Sequence, residues 1–161
     1  MHLKQTSWYG CGVHSVANAL QSESFVNRKR IELSKNGNNI GQLNRWLLKH
    51  YIKCWISTII YNNGDLINLL DLEPKFIADN DNQWYPFLIT VKSTNRINHM
   101  IGCRYMKSME IIAHDSLCEE PIIFKNFDDF NDYYKEKIIS LDVFVNYNND
   151  PIFMQIKNES I

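Results

Sequence analysis

The sequence lacks the features that mark nucleic-acid-binding, membrane-spanning and secreted proteins. Its 17 lysines and arginines balance 18 acidic residues, so a net charge of −1 favours neither nucleic acid nor an anionic membrane as a partner. No apolar run reaches the length of a membrane span, and we expect neither a signal peptide nor an inhibitory pro-segment ahead of Cys11. With four prolines, six glycines and no repeats, the 161 residues are expected to form a single domain, 1–161.

The cysteines lack the spacings of metal-binding or disulfide frameworks. No two of the four form a Cys-x-x-Cys pair, and no two candidate ligands share a spacing typical of zinc sites. We therefore expect no metal, no cofactor and a reducing setting, which we assign as cytoplasmic, with a virion or a host cytoplasm left open. Cys54, Cys103 and Cys118 are expected to be buried core thiols.

Hydrophobic periodicity predicts an α+β fold, with a helical N-terminal half packed on an antiparallel sheet. An apolar stripe predicts a helix from Cys11 to about residue 21, and the polar segment 22–39 is expected to be a loop. The other predicted helices cover 40–50, 63 or 65 to 70, and about 127–134, with Asn39 and Asn126 as caps. Strands are expected at 54–60, 75–78, 87–91, 100–105, 109–113 and 138–145, before a polar tail from about residue 148.

Cys11 stands in the context that a cysteine nucleophile needs. It is flanked by glycines and opens the first predicted helix, where unpaired backbone N–H groups and the helix dipole lower the pKa of a thiol. Gln5 offers a side-chain amide that could stabilise an oxyanion together with the Cys11 backbone N–H. His99 would serve as the base, and Asp115, sixteen residues later, would hold its tautomer. These residues predict an acyl-transfer enzyme.

The spacing of His99 and Asp115 fits a β-hairpin. With the three-residue loop 106–108, His99 falls directly opposite Asp115, with Cβ atoms roughly 4.5–5.5 Å apart. The same register pairs Arg104 with Glu110 and makes the His99 face nearly all apolar. A two-residue loop would put His99 and Asp115 on opposite faces of the hairpin. The apolar pattern and the charge pair therefore both favour the register that brings the two side chains together.

In the order and context of these residues, the sequence resembles the papain-like cysteine peptidases. Within that group it is most similar to the double-glycine, bacteriocin leader-processing peptidases and their stand-alone relatives, over about residues 5–145. The resemblance is carried by Gln5, Cys11, His99 and Asp115, and by the segments 86–91, 98–102 and 111–115. It implies Cys11 as nucleophile, His99 as general base and acid, Asp115 as the residue that orients the imidazole, and Gln5 as oxyanion donor.

Two positions depart from the family pattern. Met100 follows the histidine where relatives often have an aromatic residue, and Ser116 follows the aspartate where leader-processing members usually have proline. We expect a thiol hydrolase that cleaves a peptide or isopeptide bond of a peptide or protein substrate. Two alternatives stay open: a catalytically silent papain-like binding or virion-type structural module with a partner chain, and another Cys-His-Asp acyl transferase or amidase.

Several residues that flank the expected site could line or support it. The candidates for the substrate cleft are Trp8, Tyr9, Gly10 and Asn98. His14, three residues after Cys11, is expected at the surface or in a supporting role. His114 should point to the opposite face of its strand from Asp115, because successive side chains alternate along a strand.

Overall fold

The computed structural model describes residues 1–6, 10–29, 39–49, 54–60, 82–92 and 98–155. Within these ranges the chain has the α+β architecture that the sequence predicts. The helices are α1 (Cys11–Leu20), α2 (Glu23–Lys29), α3 (Ile40–Lys49) and α4 (Phe127–Tyr134). The strands are β1 (Trp55–Ile60), β2 (Gln83–Val91), β3 (His99–Met106), β4 (Ile111–His114), β5 (Ile122–Phe124), β6 (Ile138–Val145) and β7 (Met154–Gln155). The predicted strand at 75–78 and the predicted helix ending at 70 lie outside the described residues.

Helix α1 begins at Cys11, as its apolar stripe predicts. All its residues from Gly12 to Leu20 are buried, because the helix packs between the sheet and α2. The helix ends where Gln21 adopts a left-handed conformation with φ 55°. There the backbone N–H of Ser22 donates to the Ala17 carbonyl over 2.9 Å, as in many helix C-termini. The first cysteine is therefore placed at the N-terminus of a buried helix.

The prediction of a loop over 22–39 is wrong for its first part, which forms α2. This helix packs against α1 and buries Phe25 completely. One buried aromatic in a short polar segment does not produce a periodic apolar stripe, so hydrophobic periodicity could not reveal the helix. Tertiary packing of Phe25 stabilises a helix that its own sequence pattern does not indicate.

Helix α3 is capped as predicted. The side-chain oxygen of Asn39 accepts a hydrogen bond from the Gln42 backbone N–H over 2.9 Å. The Gln42 side chain in turn accepts one from the Asn39 backbone N–H over 3.1 Å. This reciprocal pair is a capping box, which satisfies two backbone donors that would otherwise lack a partner. Leu43, Trp46 and Leu47 form the buried face of the helix.

The strands form an antiparallel sheet in the order β1-β6-β2-β3-β4-β5, with β7 paired to the start of β2. Strand β3 lies between β2 and β4: its residues 102–105 pair with both neighbours, whereas His99 at its start pairs with Val91 of β2. Strand β5 is not predicted from the sequence, because three residues are too few to show an alternating apolar pattern. The polar tail pairs with the sheet through β7, where Trp84 lies opposite Met154.

The hairpin of β3 and β4 has a register that differs from the predicted one. Gly102 lies opposite His114 and Tyr105 opposite Ile111, so each partner is displaced by two residues and the loop is 107–109. Three-residue hairpin loops close with one residue in the left-handed region. Met109 takes that conformation with φ 75°, which a reading of apolar alternation does not anticipate.

This displacement makes one predicted residue pair wrong but leaves the predicted faces of the hairpin unchanged. The expected pairing of Arg104 with Glu110 is wrong, since Arg104 lies opposite Ile112 and donates from Nε to His114 Nε2 over 3.0 Å. The faces of the hairpin are unaffected, because a shift of two residues preserves the alternation of side chains. His99 and Asp115 therefore stay on one face, as diagonal rather than direct neighbours.

The sheet separates two apolar clusters. On one face, α4 covers the sheet with Phe127, Phe130 and Tyr134, which pack beside residues of β2, β3, β4 and β6. The N-terminal helices and residues of β1, β2, β3 and β6 form the second cluster. Asn126 caps α4 as predicted, accepting a hydrogen bond from the Asp129 backbone N–H over 2.9 Å. The sheet therefore has α1, which carries Cys11, packed on one face and α4 packed on the other.

Gly102 allows α1 to lie directly on β3. A Cβ at this position would be 2.1 Å from the Ser15 carbonyl oxygen and 2.9 Å from the Ser15 carbonyl carbon. Both atoms belong to the helix backbone, so no side-chain rotation could relieve the contact. The close approach brings the start of α1 beside the start of β3, where Cys11 and His99 are located.

The four cysteines are free thiols. Cys54 and Cys103 are fully buried in the core, as predicted. The same prediction is wrong for Cys118, which is exposed because it lies in the turn that follows β4.

Candidate active site

The Cys11 thiol is held at the first residue of α1 and is partly exposed. Burial raises the pKa of Cys11, but three kinds of contact more than offset it: a hydrogen bond with the His99 side chain, the backbone N–H groups of Met100 and Gly12, and the charge of His99. The net pKa is lowered from the usual value of a thiol. Since the thiolate is the reactive form of cysteine, these contacts favour a nucleophile at this position.

His99 bridges Cys11 and Asp115. Its Nε2 lies 2.7 Å from Asp115 Oδ1, which leaves Nδ1 as the ring nitrogen available to the thiol. Burial lowers the pKa of His99, but the Asp115 carboxylate and the Cys11 thiolate raise it by a larger amount. The net pKa of His99 is therefore about 9. Burial raises the pKa of Asp115, and the bonds from His99 and the Leu117 N–H lower it by more. The three shifts together favour a thiolate, an imidazolium and a carboxylate in a row.

A tight turn after β4 fixes the Asp115 carboxylate. The Leu117 backbone N–H donates to Asp115 Oδ1 over 3.0 Å, and the Cys118 N–H donates to the Asp115 carbonyl over 2.9 Å. This pattern is that of an aspartate that stabilises its own turn. The turn therefore fixes the orientation of the carboxylate independently of His99. The hydrogen bond to this fixed carboxylate then restricts the rotation of the His99 ring.

Gln5 is placed by the N-terminal segment, which lies between α1 and the turn after β4. Asn18 of α1 anchors this segment with two hydrogen bonds, accepting from the Leu3 N–H over 2.7 Å and donating to the Leu3 carbonyl over 2.9 Å. The Gln5 backbone N–H donates to the Ser116 carbonyl over 2.8 Å. The Gln5 side chain is buried, and its Oε1 accepts a hydrogen bond from the Ser116 hydroxyl.

The remaining sequence candidates are distributed unevenly around the site. Gly10 is buried, and its carbonyl accepts hydrogen bonds from the His14 backbone N–H and, over 2.8 Å, from the His14 ring. His14 is itself buried and supports the turn before Cys11 rather than lying at the surface. Asn98 is exposed directly before β3. The other two cleft candidates, Trp8 and Tyr9, lie outside the described residues.

His114 points away from Asp115, as predicted, and joins a second set of hydrogen bonds. Because Arg104 donates to His114 Nε2, the hydrogen of His114 is on Nδ1, which donates to His2 Nδ1 over 3.0 Å. His2 then donates from Nε2 to the Cys118 carbonyl over 2.8 Å. Burial, followed by the charge of Arg104, lowers the pKa of His114 to about 3. A neutral His114 therefore ties the N-terminal segment to the turn that carries Asp115.

Sequence reasoning missed three contributors to this site. Asn18 and Ser116 are fully buried polar residues that position the N-terminal segment, and the Met100 backbone N–H supports the thiolate. Asn18 lies between two alanines of a helix with a strong apolar stripe, which was a usable sign of a buried hydrogen bond. The sequence marks Ser116 only as a departure from the family pattern. The Met100 backbone N–H could not be identified from the sequence, because every residue except proline has a backbone N–H.

Two kinds of feature, a metal-binding cluster and a membrane-crossing helix, are absent from the described residues. No three or more His, Cys, Asp or Glu side chains in this part of the chain are grouped so that they could hold a metal ion. None of the helices in the same ranges has the length and apolar character of a membrane-crossing segment.

The mixed helical and antiparallel-sheet architecture is a papain-like fold, as the sequence analysis expected. It is similar to the peptidase domain of Streptococcus ComA, a bifunctional ABC transporter involved in a quorum-sensing pathway. That match has a TM-score of 0.61 and 12% identity, and covers 90% of this chain and 97% of the other. The peptidase domain of Streptococcus mutans ComA gives a TM-score of 0.52 and 14% identity, covering 89% of this chain and 98% of the other.

Sequence comparison does not detect this relationship. No family profile and no curated protein sequence matches the chain. At 12–14% identity the likeness concerns the fold. The chemistry has to be argued from this chain's own residues.

Proposed function

We propose that this chain is a cysteine peptidase in which Cys11 is the nucleophile, His99 the general base and acid, and Asp115 the residue that orients the imidazole. The observation that carries the proposal is the continuous contact from the Cys11 thiol to His99 and, over 2.7 Å, to Asp115. The three residues come from a helix start, a strand start and a turn, so no local pattern brings them together. Their convergence in a peptidase fold supports a functional site.

In the first half of the reaction, the Cys11 thiolate would attack the carbonyl carbon of the scissile bond. The new S–C bond turns the carbonyl oxygen into an oxyanion, which needs hydrogen-bond donors already in place. The backbone N–H of Cys11 is suited to this, since the first N–H groups of a helix have no partner within it. We assign the Gln5 side-chain amide as the second donor. The His99 imidazolium would then protonate the leaving amine as the C–N bond breaks.

In the second half, water would hydrolyse the acyl-enzyme. His99, now neutral, would remove a proton from the water while the oxygen attacks the thioester carbon. Collapse of the second oxyanion releases the acid and restores the Cys11 thiolate beside a protonated His99. Asp115 keeps Nδ1 of the ring directed at the sulfur through both halves, since its carboxylate holds Nε2.

The proposed substrate is a peptide or a protein, cut at a peptide or isopeptide bond. The structural neighbours are peptidase domains. The double-glycine peptidases that the sequence resembles make a peptide with two glycines before the scissile bond the first candidate to test. A silent binding module is less well supported, because the Cys11 thiol is partly exposed and engaged by His99 rather than covered. An acyl transferase would use the same residues and differ in the acceptor of the acyl group.

The test begins with the thiol. At pH 6.5, iodoacetamide should alkylate Cys11 roughly ten times faster than the more exposed Cys118, because the pKa of Cys11 is lowered while partial burial and Asp115 raise that of Cys118. Peptide mapping by mass spectrometry distinguishes the two sites. Faster labelling of Cys118 would contradict the proposed activation of Cys11.

Activity is then measured on a double-glycine peptide and on a mixture of proteome-derived peptides, in water enriched in ¹⁸O. Hydrolysis places ¹⁸O in the new carboxylate, whereas acyl transfer to an amine does not. Cys11→Ala should abolish cleavage, and the matched variant Cys118→Ser, which keeps a side-chain donor for Asp115, should retain it. Cleavage that survives in Cys11→Ala would refute the assignment of the nucleophile.

A further inference from the structure

Ser116 holds Gln5 at two points. Its hydroxyl donates to Gln5 Oε1, and its backbone carbonyl accepts the Gln5 backbone N–H over 2.8 Å. Ser116 is completely buried, and Gln5 is 6% exposed. A buried serine hydroxyl has few alternative partners, so this contact persists instead of exchanging with water.

We propose that Ser116 is a positioning residue that orients the Gln5 side-chain amide toward the oxyanion, an inference that rests on the proposed function. The oxygen and the NH₂ group of a primary amide lie at opposite ends of one plane, and the last torsion of a glutamine is otherwise broad. A hydrogen bond to Oε1 therefore determines where the N–H donors point. Proline, the usual residue here in leader-processing relatives, cannot form this bond because it has no hydroxyl.

The same turn then serves both parts of the proposed mechanism. Asp115 orients the imidazole of His99, and the next residue, Ser116, orients the amide of Gln5. The backbone of this turn is held by its own hydrogen bonds to Asp115, from the N–H groups of Leu117 and Cys118. The base and the oxyanion donor are thereby positioned from one short, rigid segment.

Two reagents separate oxyanion stabilisation from thiol reactivity, and neither requires the natural substrate. In the reaction with p-nitrophenyl acetate, the Cys11 sulfur bonds to the acetyl carbon, an oxyanion forms, and p-nitrophenolate leaves. In the reaction with iodoacetamide, the sulfur displaces iodide directly and no oxyanion forms. Both rate constants depend on the fraction of Cys11 that is thiolate, and only acetylation depends on the oxyanion donors. The ratio of acetylation to alkylation therefore measures the contribution of these donors alone.

Removal of the Ser116 hydroxyl should change this ratio in a defined way. Gln5→Ala should lower acetylation of Cys11 roughly 100- to 1,000-fold and leave alkylation unchanged. Ser116→Ala should lower acetylation roughly 3- to 10-fold, the effect expected of one lost buried hydrogen bond, also without changing alkylation. Ser116→Thr, which keeps the hydroxyl, should restore acetylation. Ser108→Ala, an exposed serine in the β3–β4 loop, is the matched control and should behave as the wild type.

A double-mutant cycle decides between positioning and general structural support. If Ser116 acts through Gln5, Ser116→Ala should cause no further loss of acetylation in the Gln5→Ala background. An equal loss in both backgrounds, no loss in either, or a parallel loss of alkylation would overturn the proposal. Thermal melts check folding, and Ser116→Gly, which also lacks the hydroxyl, replaces Ser116→Ala if the latter does not fold. Acetylation that is as fast in Cys11→Ala as in the wild type would instead refute the proposed function.

Discussion

Replacing Asp115 by asparagine should lower the pKa of His99 by a measurable amount. The His99 and Asp115 side chains are only 11% and 21% exposed, and Nε2 and Oδ1 are 2.7 Å apart. Two unit charges at roughly 4 Å in an effective dielectric of about 20 attract by about 4 kcal/mol. Asparagine keeps an oxygen that can accept the Nε2–H bond, so only the charge is lost. We expect the pKa of His99 to fall from about 9 by roughly 1–3 units.

The ring protons of His99 report this change in an NMR titration. The resonance is assigned as the one missing in a His99→Ala spectrum, and the titration is run on the wild type and on Asp115→Asn. Cys11 should respond in the same experiment, because a less cationic His99 supports its thiolate less well. The midpoint of its alkylation by iodoacetamide should therefore move to higher pH. An unchanged His99 titration in Asp115→Asn would refute the electrostatic reasoning, whatever happened to activity.

Two further predictions concern the scaffold. Gly102→Ala should lower the free energy of unfolding by about 1–3 kcal/mol and reduce the alkylation rate of Cys11, since the new Cβ meets the Ser15 backbone and displaces α1. The matched variant Gly41→Ala, where the Cβ would lie 3.3 Å from one side-chain oxygen, should be nearly neutral in chemical denaturation. Burial raises the pKa of Asp142 from 3.8 to about 6, despite the hydrogen bond from Thr58. The folded state then holds a proton that the unfolded state releases, so stability should fall by up to about 3 kcal/mol as pH rises from 4 to 7. Asp142→Asn should abolish that slope, and an equally steep slope in the variant would contradict this account.

The sheet and its helices were largely predictable, because both leave periodic marks in the sequence. The apolar stripe of α1 and the asparagine caps at Asn39 and Asn126 were recognised from local pattern alone. The failures were of two kinds. Helix α2 depends on one buried aromatic, Phe25, and strand β5 is three residues long, so neither contains enough periods of a pattern to register.

The hairpin register illustrates how two side chains can be assigned to the correct face of a hairpin from a residue pairing that is wrong. Alternation along a strand has a period of two, so it determines which face a side chain takes and not which residue it opposes. His99 and Asp115 were assigned to one face, and that holds in the folded chain. The displacement by two residues depends on the left-handed conformation of Met109, which is a property of the closed loop.

The sequence by itself determined the local chemistry: a cysteine at a helix start, a histidine at a strand start, and an aspartate on the same face as that histidine. Only the tertiary structure decided the approach of α1 to β3 over Gly102 and the contact between Ser116 and Gln5. The physical reason is the separation along the sequence between the residues that interact. Helix starts and strand faces follow from neighbouring residues, whereas a hydrogen bond between residues more than a hundred positions apart exists only once the core has brought their segments together.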